Sequence, residues 1–312
     1  MWACVIPDIE NPFFTSMVRG VEDVARPLRY SVVLANTDED PATEADYLQM
    51  VVAQRMAGVI ISPTRQSTDV SHLQQAGIQV VCVDREVSQP TDAVLVNSAA
   101  AARQATEHLI AAGCTRIACV TGRADTTVGA ERLRGYREAL LAAGRRLDGQ
   151  ARAPLRLPRG VGARRDVLAA AAARAPDGIF VANNQMTLGV LRALQEAGQR
   201  VPQDVAVAGF DDLPWWALSA PTVTAVAQPT YQMGRAAGEM LAARLAGDRQ
   251  PPRARYLDAV LVRRQSSRLG GVVDAPDLAL PPLPVTAGFA PSTTPSTTSS
   301  ATPSTTGAPH AR

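Results

Sequence analysis

The sequence predicts an α/β protein built from two doubly wound parallel-sheet lobes, and three observations predict it. Short apolar runs rich in β-branched residues recur along most of the chain. Segments of helical length and spacing separate them, and at one place a strand follows a strand with no helix between. Alternation at intervals of roughly 20 to 30 residues gives parallel sheets with helices on both faces, because a parallel pair of strands needs a long crossover.

Taken in order, the runs at residues 3–6, 31–35, 58–61, 78–83, 117–120, 178–181 and 205–208 predict fully buried strands, apolar on both faces because helices cover both. Helix starts are marked by Asn11-Pro12, by Asp40-Pro41 with Glu44 in the first turn, and by Ser98. Helix stops are marked by Gly77, Gly113, Gly144 and Gly198. Ala102, Ala105, Leu109 and Ala112 fall on one helical face, as do Ala237, Met240, Leu241 and Leu245. Residues 84–96 break this rhythm: 92–96 is a β segment reached without a helix, as expected where a chain leaves one lobe for another. From Gly270 the pattern ends, and residues 291–306 contain only Pro, Ser, Thr and Ala. Residues 270–312 are therefore expected to form a disordered tail, a solvated appendage rather than a glycosylated stalk.

Composition removes several functions. The chain has 312 residues, 46% of them apolar, and a net charge of +2, which fits a soluble globular protein. No apolar run approaches the roughly 20 residues of a membrane helix, and the first residues lack the order of a signal peptide, so the cytoplasm is the expected location. Cys4, Cys82, Cys114 and Cys119 lie in or beside apolar stretches without metal-ligand spacing and read as buried free thiols. All 31 basic residues are arginine, which excludes a Walker A phosphate loop and lysine Schiff-base chemistry. The stretch 7–14 after the first strand has no glycine pair, which excludes the dinucleotide fingerprint, and no cofactor is expected. His72, His108 and His310 lack metal spacing and are assigned structural roles. Arg145-Arg146, Arg164-Arg165 and Arg263-Arg264 come without aromatic interleaving and are read as solvated faces.

In open parallel sheets a ligand sits beyond the carboxyl ends of the strands. The residues there are Phe13 and Phe14, then Asp84-Arg85, Asn183-Asn184 and Asp211-Asp212. An aromatic ring stacks on the C–H face of a sugar or on a flat base, and carboxylates and amides pair with vicinal hydroxyls. The competing assignments are core packing for the phenylalanines, at least one of which should be structural, and helix capping for the polar pairs. A glycosidase pair of carboxylates also fits the same residues.

Several stretches in this order resemble the effector-binding region of the lactose-repressor (LacI/GalR) family of bacterial transcription regulators, which shares its fold with periplasmic sugar-binding proteins. They are Val5-Ile6-Pro7-Asp8 with Asn11-Pro12-Phe13-Phe14, Asn36-Thr37-Asp38-Glu39-Asp40, Gly58-Val59-Ile60-Ile61, Val83-Asp84-Arg85, Arg132-Leu133-Arg134-Gly135-Tyr136, Val201-Pro202-Gln203-Asp204-Val205 and Gly209-Phe210-Asp211-Asp212. The resemblance covers residues 2–268. It implies two periplasmic-binding-protein-like lobes, 1–96 plus 229–257 and 97–227 plus 258–268, joined by a three-stranded hinge. It implies that Phe13 and Phe14 stack on a small, sugar-like effector, that Asp84 and Asp211 grip its hydroxyls, and that Arg132, Asn183 and Gln228 complete the lining, with Thr64 and Trp215 as further candidates. A homodimer without enzymatic activity is implied as well. The sequence departs from the family pattern at Asn183-Asn184, Asn97-Ser98 and Ala130, and in the loop 151–161, where the family often carries an aromatic. Family members open with a helix-turn-helix headpiece, and Met1 falls directly before the first strand, so this chain is not expected to read DNA alone. The alternative functions are a transporter's periplasmic sugar-binding component and a sugar-modifying enzyme.

Overall fold

A computed structural model describes residues 1–122, 125–145 and 176–267. The tail 270–312, the loop 151–161, Arg146, Arg164-Arg165 and His310 lie outside the described residues. Two sheets share one compact unit. The first contains β1 (Trp2–Ile6), β2 (Val32–Asn36), β3 (Gly58–Ile61), β4 (Gln79–Val83), β5 (Asp92–Val96) and β10 (Ala254–Leu257) in the order β10-β5-β4-β3-β1-β2, all parallel. The second contains β6 (Ile117–Val120), β7 (Gly178–Val181), β8 (Ala206–Phe210), β9 (Thr224–Ala227) and β11 (Val260–Val262) in the order β11-β9-β8-β7-β6, parallel except for β11 against β9. The chain passes between sheets after β5, after β9 and between β10 and β11.

Helices α1 (Pro12–Ala25), α2 (Pro41–Ala53), α3 (Ser71–Gln75) and α7 (Thr230–Leu245) accompany the first sheet, and α4 (Ser98–Ala111), α5 (Thr127–Ala142) and α6 (Asn184–Glu196) the second. Strand alternation builds the cores: Trp2, Cys4 and Ile6 of β1 pack with Met17 and Met233 on one face, while Ala3 and Val5 pack with Leu48, Val51 and Leu73 on the other. In each lobe two helices cross so closely that only glycine fits. A Cβ added at Gly234 of α7 would sit 1.9 Å from the Met17 carbonyl oxygen of α1, and one at Gly135 of α5 would sit 2.0 Å from the Ala99 oxygen of α4.

Three local expectations change. Strand β2 is not fully buried, and Leu34 is 39% exposed, because β2 ends the first sheet and has a neighbour on one side only. The cap of α4 is Asn97, whose side chain accepts from the Ala100 N–H, so Ser98 is the first helical residue. Arg264 is not on a solvated face: its guanidinium donates to both Asp212 carboxylate oxygens at 2.6 and 2.8 Å and to the Val223 carbonyl. Gly77, Gly113, Gly144 and Gly198 all have positive φ after helix ends, the conformation a glycine stop supplies. The four cysteines are buried free thiols. Burial pushes the Cys82 and Cys114 thiols up to about 11 and those of Cys4 and Cys119 up to about 12.

Candidate functional site

The carboxyl ends of both sheets face a shared cleft of about 690 Å³, a size suited to a small ligand. The first sheet contributes the segments after β1, β2 and β4. The second contributes those after β6, β7, β8 and β9.

Asp84 directly follows β4 and Asp211 directly follows β8, with φ of 65° and 69°. Aspartate is among the few non-glycine residues that tolerate this left-handed conformation, and its cost of about 1 to 3 kcal/mol is typical of functional sites. Each turn is tied to the next strand of its sheet, by the Asp84 N–H donating to Val94 O and the Asp212 N–H to Val226 O, both at 3.0 Å. The two carboxylates are nearly buried, at 8% and 6% exposure. Neither is the N-cap residue of a helix: that of α6 is Asn183, which accepts from the Met186 N–H at 2.7 Å, while Asp211 takes the N–H of Asn184, the first residue of α6, from outside the helix.

Arg132 of α5 reaches between these two acids. Its guanidinium lies 3.8 Å from the Phe210 ring centroid, donates to Ala182 O at 2.6 Å and approaches Asp84 Oδ1 at 4.0 Å. Asp211 accepts from Gln228 Nε2 at 2.6 Å and from the Asn184 N–H at 3.4 Å. Burial pushes both aspartates above the usual carboxylate range, against the lowering pull of Arg132 on each. Nε of Arg132 and Oε1 of Gln228 are buried and find no hydrogen-bond partner among the described residues.

Phe13 and Phe14 both line the cleft, in edge-to-face contact at 5.0 Å, and both also belong to the core of the first lobe. The expectation that at least one ring is structural holds for both, and both also reach the cleft from the first turn of α1. Asp84, Arg132, Asn183, Asp211 and Gln228 share the lining.

Thr64 and Trp215 lie outside the lining. The Thr64 N–H and hydroxyl donate to the buried Glu44 carboxylate at 2.7 and 3.0 Å, which ties β3 to α2 instead. Trp215 is 47% exposed, and its neighbour Trp216 turns inward to donate from Nε1 to Asp211 O at 3.3 Å. Asp212, paired with Asp211 in the sequence, is spent on Arg264.

Arg85 and Asn184, the partners of Asp84 and Asn183 in the sequence pairs, stand at the site, and the structure adds Glu39 and Asn11. Arg85 donates to Glu39 at 2.7 and 3.0 Å and to Pro63 O at 3.2 Å, with its Nε 3.7 Å from Asp84. Asn184 Nδ2 donates to Asn11 Oδ1 at 2.7 Å, linking the two lobes beside the cleft. Asn11 and Glu39 have a sequence signal only as members of the stretches Asn11-Pro12-Phe13-Phe14 and Asn36-Thr37-Asp38-Glu39-Asp40, and nothing in those stretches singles them out. Among the described residues no group of His, Cys, Asp and Glu has the arrangement of a metal site.

Residues 106–267 match the periplasmic binding protein-like domain family. The ribose operon repressor of Halalkalibacterium halodurans is 33% identical over 243 residues, spanning 77% of this chain and 71% of the repressor. The transcriptional regulator CelR of Thermobifida fusca is 34% identical over 264 residues, spanning 82% and 76%. Among solved structures, a LacI family transcriptional regulator from Enterococcus faecium with bound ribose superposes with a TM-score of 0.77 at 26% identity, covering 85% of this chain and 98% of that one.

Proposed function

The chain belongs to the LacI family of transcription regulators, of which it is an effector-sensing region, and from that premise we propose that its lobes close on a small sugar without altering it covalently. The observation that carries this reading is the meeting of Asp84 from one lobe with Arg132 and Asp211 from the other in one buried cleft. A ligand held by both lobes has more contacts when they are together than apart, so it favours closure by that difference in affinity alone. In a homodimer, closure rotates one lobe of each subunit against its partner and changes the spacing of the two DNA-reading elements such regulators carry.

Phe13 and Phe14 would pack on the sugar's C–H face, Asp84, Asp211 and Asn183 would pair with its hydroxyls, and Arg132 and Gln228 would hold the two acids while offering their own remaining groups. The partition into lobes 1–96 plus 229–257 and 97–227 plus 258–268 makes the hinge of the three passages between sheets. No helix among the described residues is long and apolar enough to cross a membrane, and the cytoplasm is the location in keeping with a transcription regulator.

Thermal-shift screening of pentoses, hexoses, their phosphates and nucleobases tests the reading. A sugar bound only by the folded state adds about 2.7 kcal/mol at a hundredfold excess over Kd, so at least one should raise the melting temperature by several degrees. If none does, the sugar assignment falls. The bound sugar should be recovered unchanged after prolonged incubation, and turnover that depends on Asp84 or Asp211 would replace the sensor with an enzyme. Sedimentation should find a dimer.

A further inference from the structure

The polar groups that meet across the cleft differ in how firmly they are joined. Arg65 of the first lobe lies 3.6 Å from Asp125 of the second, but both side chains are half exposed, so water and salt screen the pair. Arg132 approaches Asp84 at 4.0 Å, beyond hydrogen-bond length. Asn184 Nδ2, by contrast, donates to Asn11 Oδ1 at 2.7 Å, and both of these side chains are buried. This contact is the shortest of the three, and it carries no charge.

The orientation of each amide is set by its own helix. Asn11 is the N-cap of α1, and its Oδ1 also accepts from the Phe13 N–H at 3.1 Å. Turning this amide over would set its NH2 group against that N–H, so the oxygen must meet the second lobe as an acceptor. Asn184 is the first residue of α6, and its Oδ1 accepts from the Gln185 N–H at 2.7 Å, one of the first-turn donors that a helix leaves without a partner of its own. Its Nδ2 is thereby left to donate across the cleft. Asparagine at 184 satisfies both ends, whereas aspartate there would set acceptor against acceptor. The same two residues adjoin the cleft wall: the Asn184 N–H donates to Asp211 at 3.4 Å, and Asn11 leads into Phe13 and Phe14.

The bond joins two protein side chains and needs no ligand atom, so it acts whether or not a ligand is bound. We propose that Asn11 and Asn184 form a clasp that holds the two lobes together without a ligand, so that the chain on its own already populates the closed arrangement. Opening returns both amides to water, so the net effect of one such bond on the open–closed equilibrium is about two- to tenfold. A ligand that favours closure can shift only the fraction still open, and the clasp therefore sets the size of the response. The proposal rests on the opening and closing of the lobes in the sensor reading above.

The test is a distance measurement between spin labels on Ser67→Cys in the first lobe and Ala130→Cys in the second, made on the full chain without ligand and diluted with unlabelled chain. Both positions are exposed, and the four native cysteines are buried and resist labelling. The distances should be mainly short. Asn184→Asp keeps the side chain's shape and suits the first turn of a helix; it should raise the ratio of long to short distances by about two- to tenfold. Asn11→Ser still caps α1 but is too short to reach Asn184, and it should do the same. The two together should open the lobes no further than either alone. Melting verifies the fold of each variant. In about 1 M salt the unaltered chain should stay closed, because the clasp is uncharged. Mainly long distances in the unaltered chain, no change in either single variant, or additive effects in the double variant would overturn the proposal. Opening by salt to the extent seen in a variant would overturn it too, by assigning closure to Arg65 and Asp125. No sugar enters this measurement, so a failure of the sugar screen removes the sensor reading while the clasp is judged on the distances alone.

Discussion

Asp84 in the first lobe and Asp211 in the second occupy the same place in two sheets. Each is the residue after a strand, each has a positive φ near 65°, and each lies in a turn whose backbone N–H is tied to the neighbouring strand. Their supports differ. Asp84 is flanked by guanidinium groups, Arg85 beside it and Arg132 across the cleft, whereas Asp211 is held by the neutral amide of Gln228 and a backbone N–H. Arg132 of the second lobe pulls on both acids, so the difference lies in the remaining partners: a second guanidinium, Arg85, stands beside Asp84, while Asp211 takes direct hydrogen bonds.

The strongest way to break the comparison acts on the scaffold both lobes share. Gly135→Ala and Gly234→Ala each force a Cβ into a facing helix backbone, and each should cost about 3 kcal/mol or more, read as a drop in melting temperature by calorimetry. If either is tolerated, the close helix crossing in that lobe is softer than its partner's.

Next in size are the ion pairs behind the two acids. Arg264→Ala would strand the buried Asp212 carboxylate, 8% exposed, and should cost about 3 kcal/mol in urea unfolding. Arg85→Ala should cost about 1 kcal/mol, since Glu39 is 32% exposed and water can replace the lost partner. Equal losses would contradict the difference in burial.

Binding separates the two acids further. Asp211→Ala should abolish the thermal shift given by a sugar while leaving the fold intact, because it removes a cleft carboxylate that packing does not need; an unfolded variant would instead assign Asp211 a structural role. Asp84→Ala should also weaken binding, by about ten- to a hundredfold, the range for losing hydrogen bonds to a charged group.

The smallest effect is on pH dependence. Burial raises both aspartates above the usual value of 3.8, so the folded chain holds these protons more tightly than the unfolded one. Their contribution to stability is fully present below 3.8 and is lost as pH rises through the raised folded values. Without ligand, Asp84→Asn and Asp211→Asn should each flatten this part of the stability profile and raise the melting temperature at neutral pH. A profile unchanged by both would mean the acids are not held against their charge.

Much of the fold was legible because its signals are local. Proline after Asn11 and Asp40 starts α1 and α2, the four glycines take the positive φ that ends helices, and runs such as Gly58–Ile61 carry their burial in their composition. The placement of Asp84 and Asp211 after apolar runs was equally visible, since it depends only on where a strand stops. Leu34 was misjudged because nothing in residues 31–35 reveals that β2 ends its sheet. For Phe13 and Phe14 the helical period leaves core packing and ligand contact as alternatives, because the core and the cleft that both rings join are built by distant elements.

The sequence by itself determined the alternating elements, their caps and stops, and the absence of lysine chemistry, since backbone preferences and side-chain periods act over a few residues. Only the tertiary structure decided which polar groups are spent and which remain: Thr64 on Glu44, Asp212 on Arg264 across 52 residues, Asn11 on Asn184 across 173. A side chain's free hydrogen-bonding capacity is what its neighbours leave over, and those neighbours come from strands whose order in the sheet the local sequence does not encode.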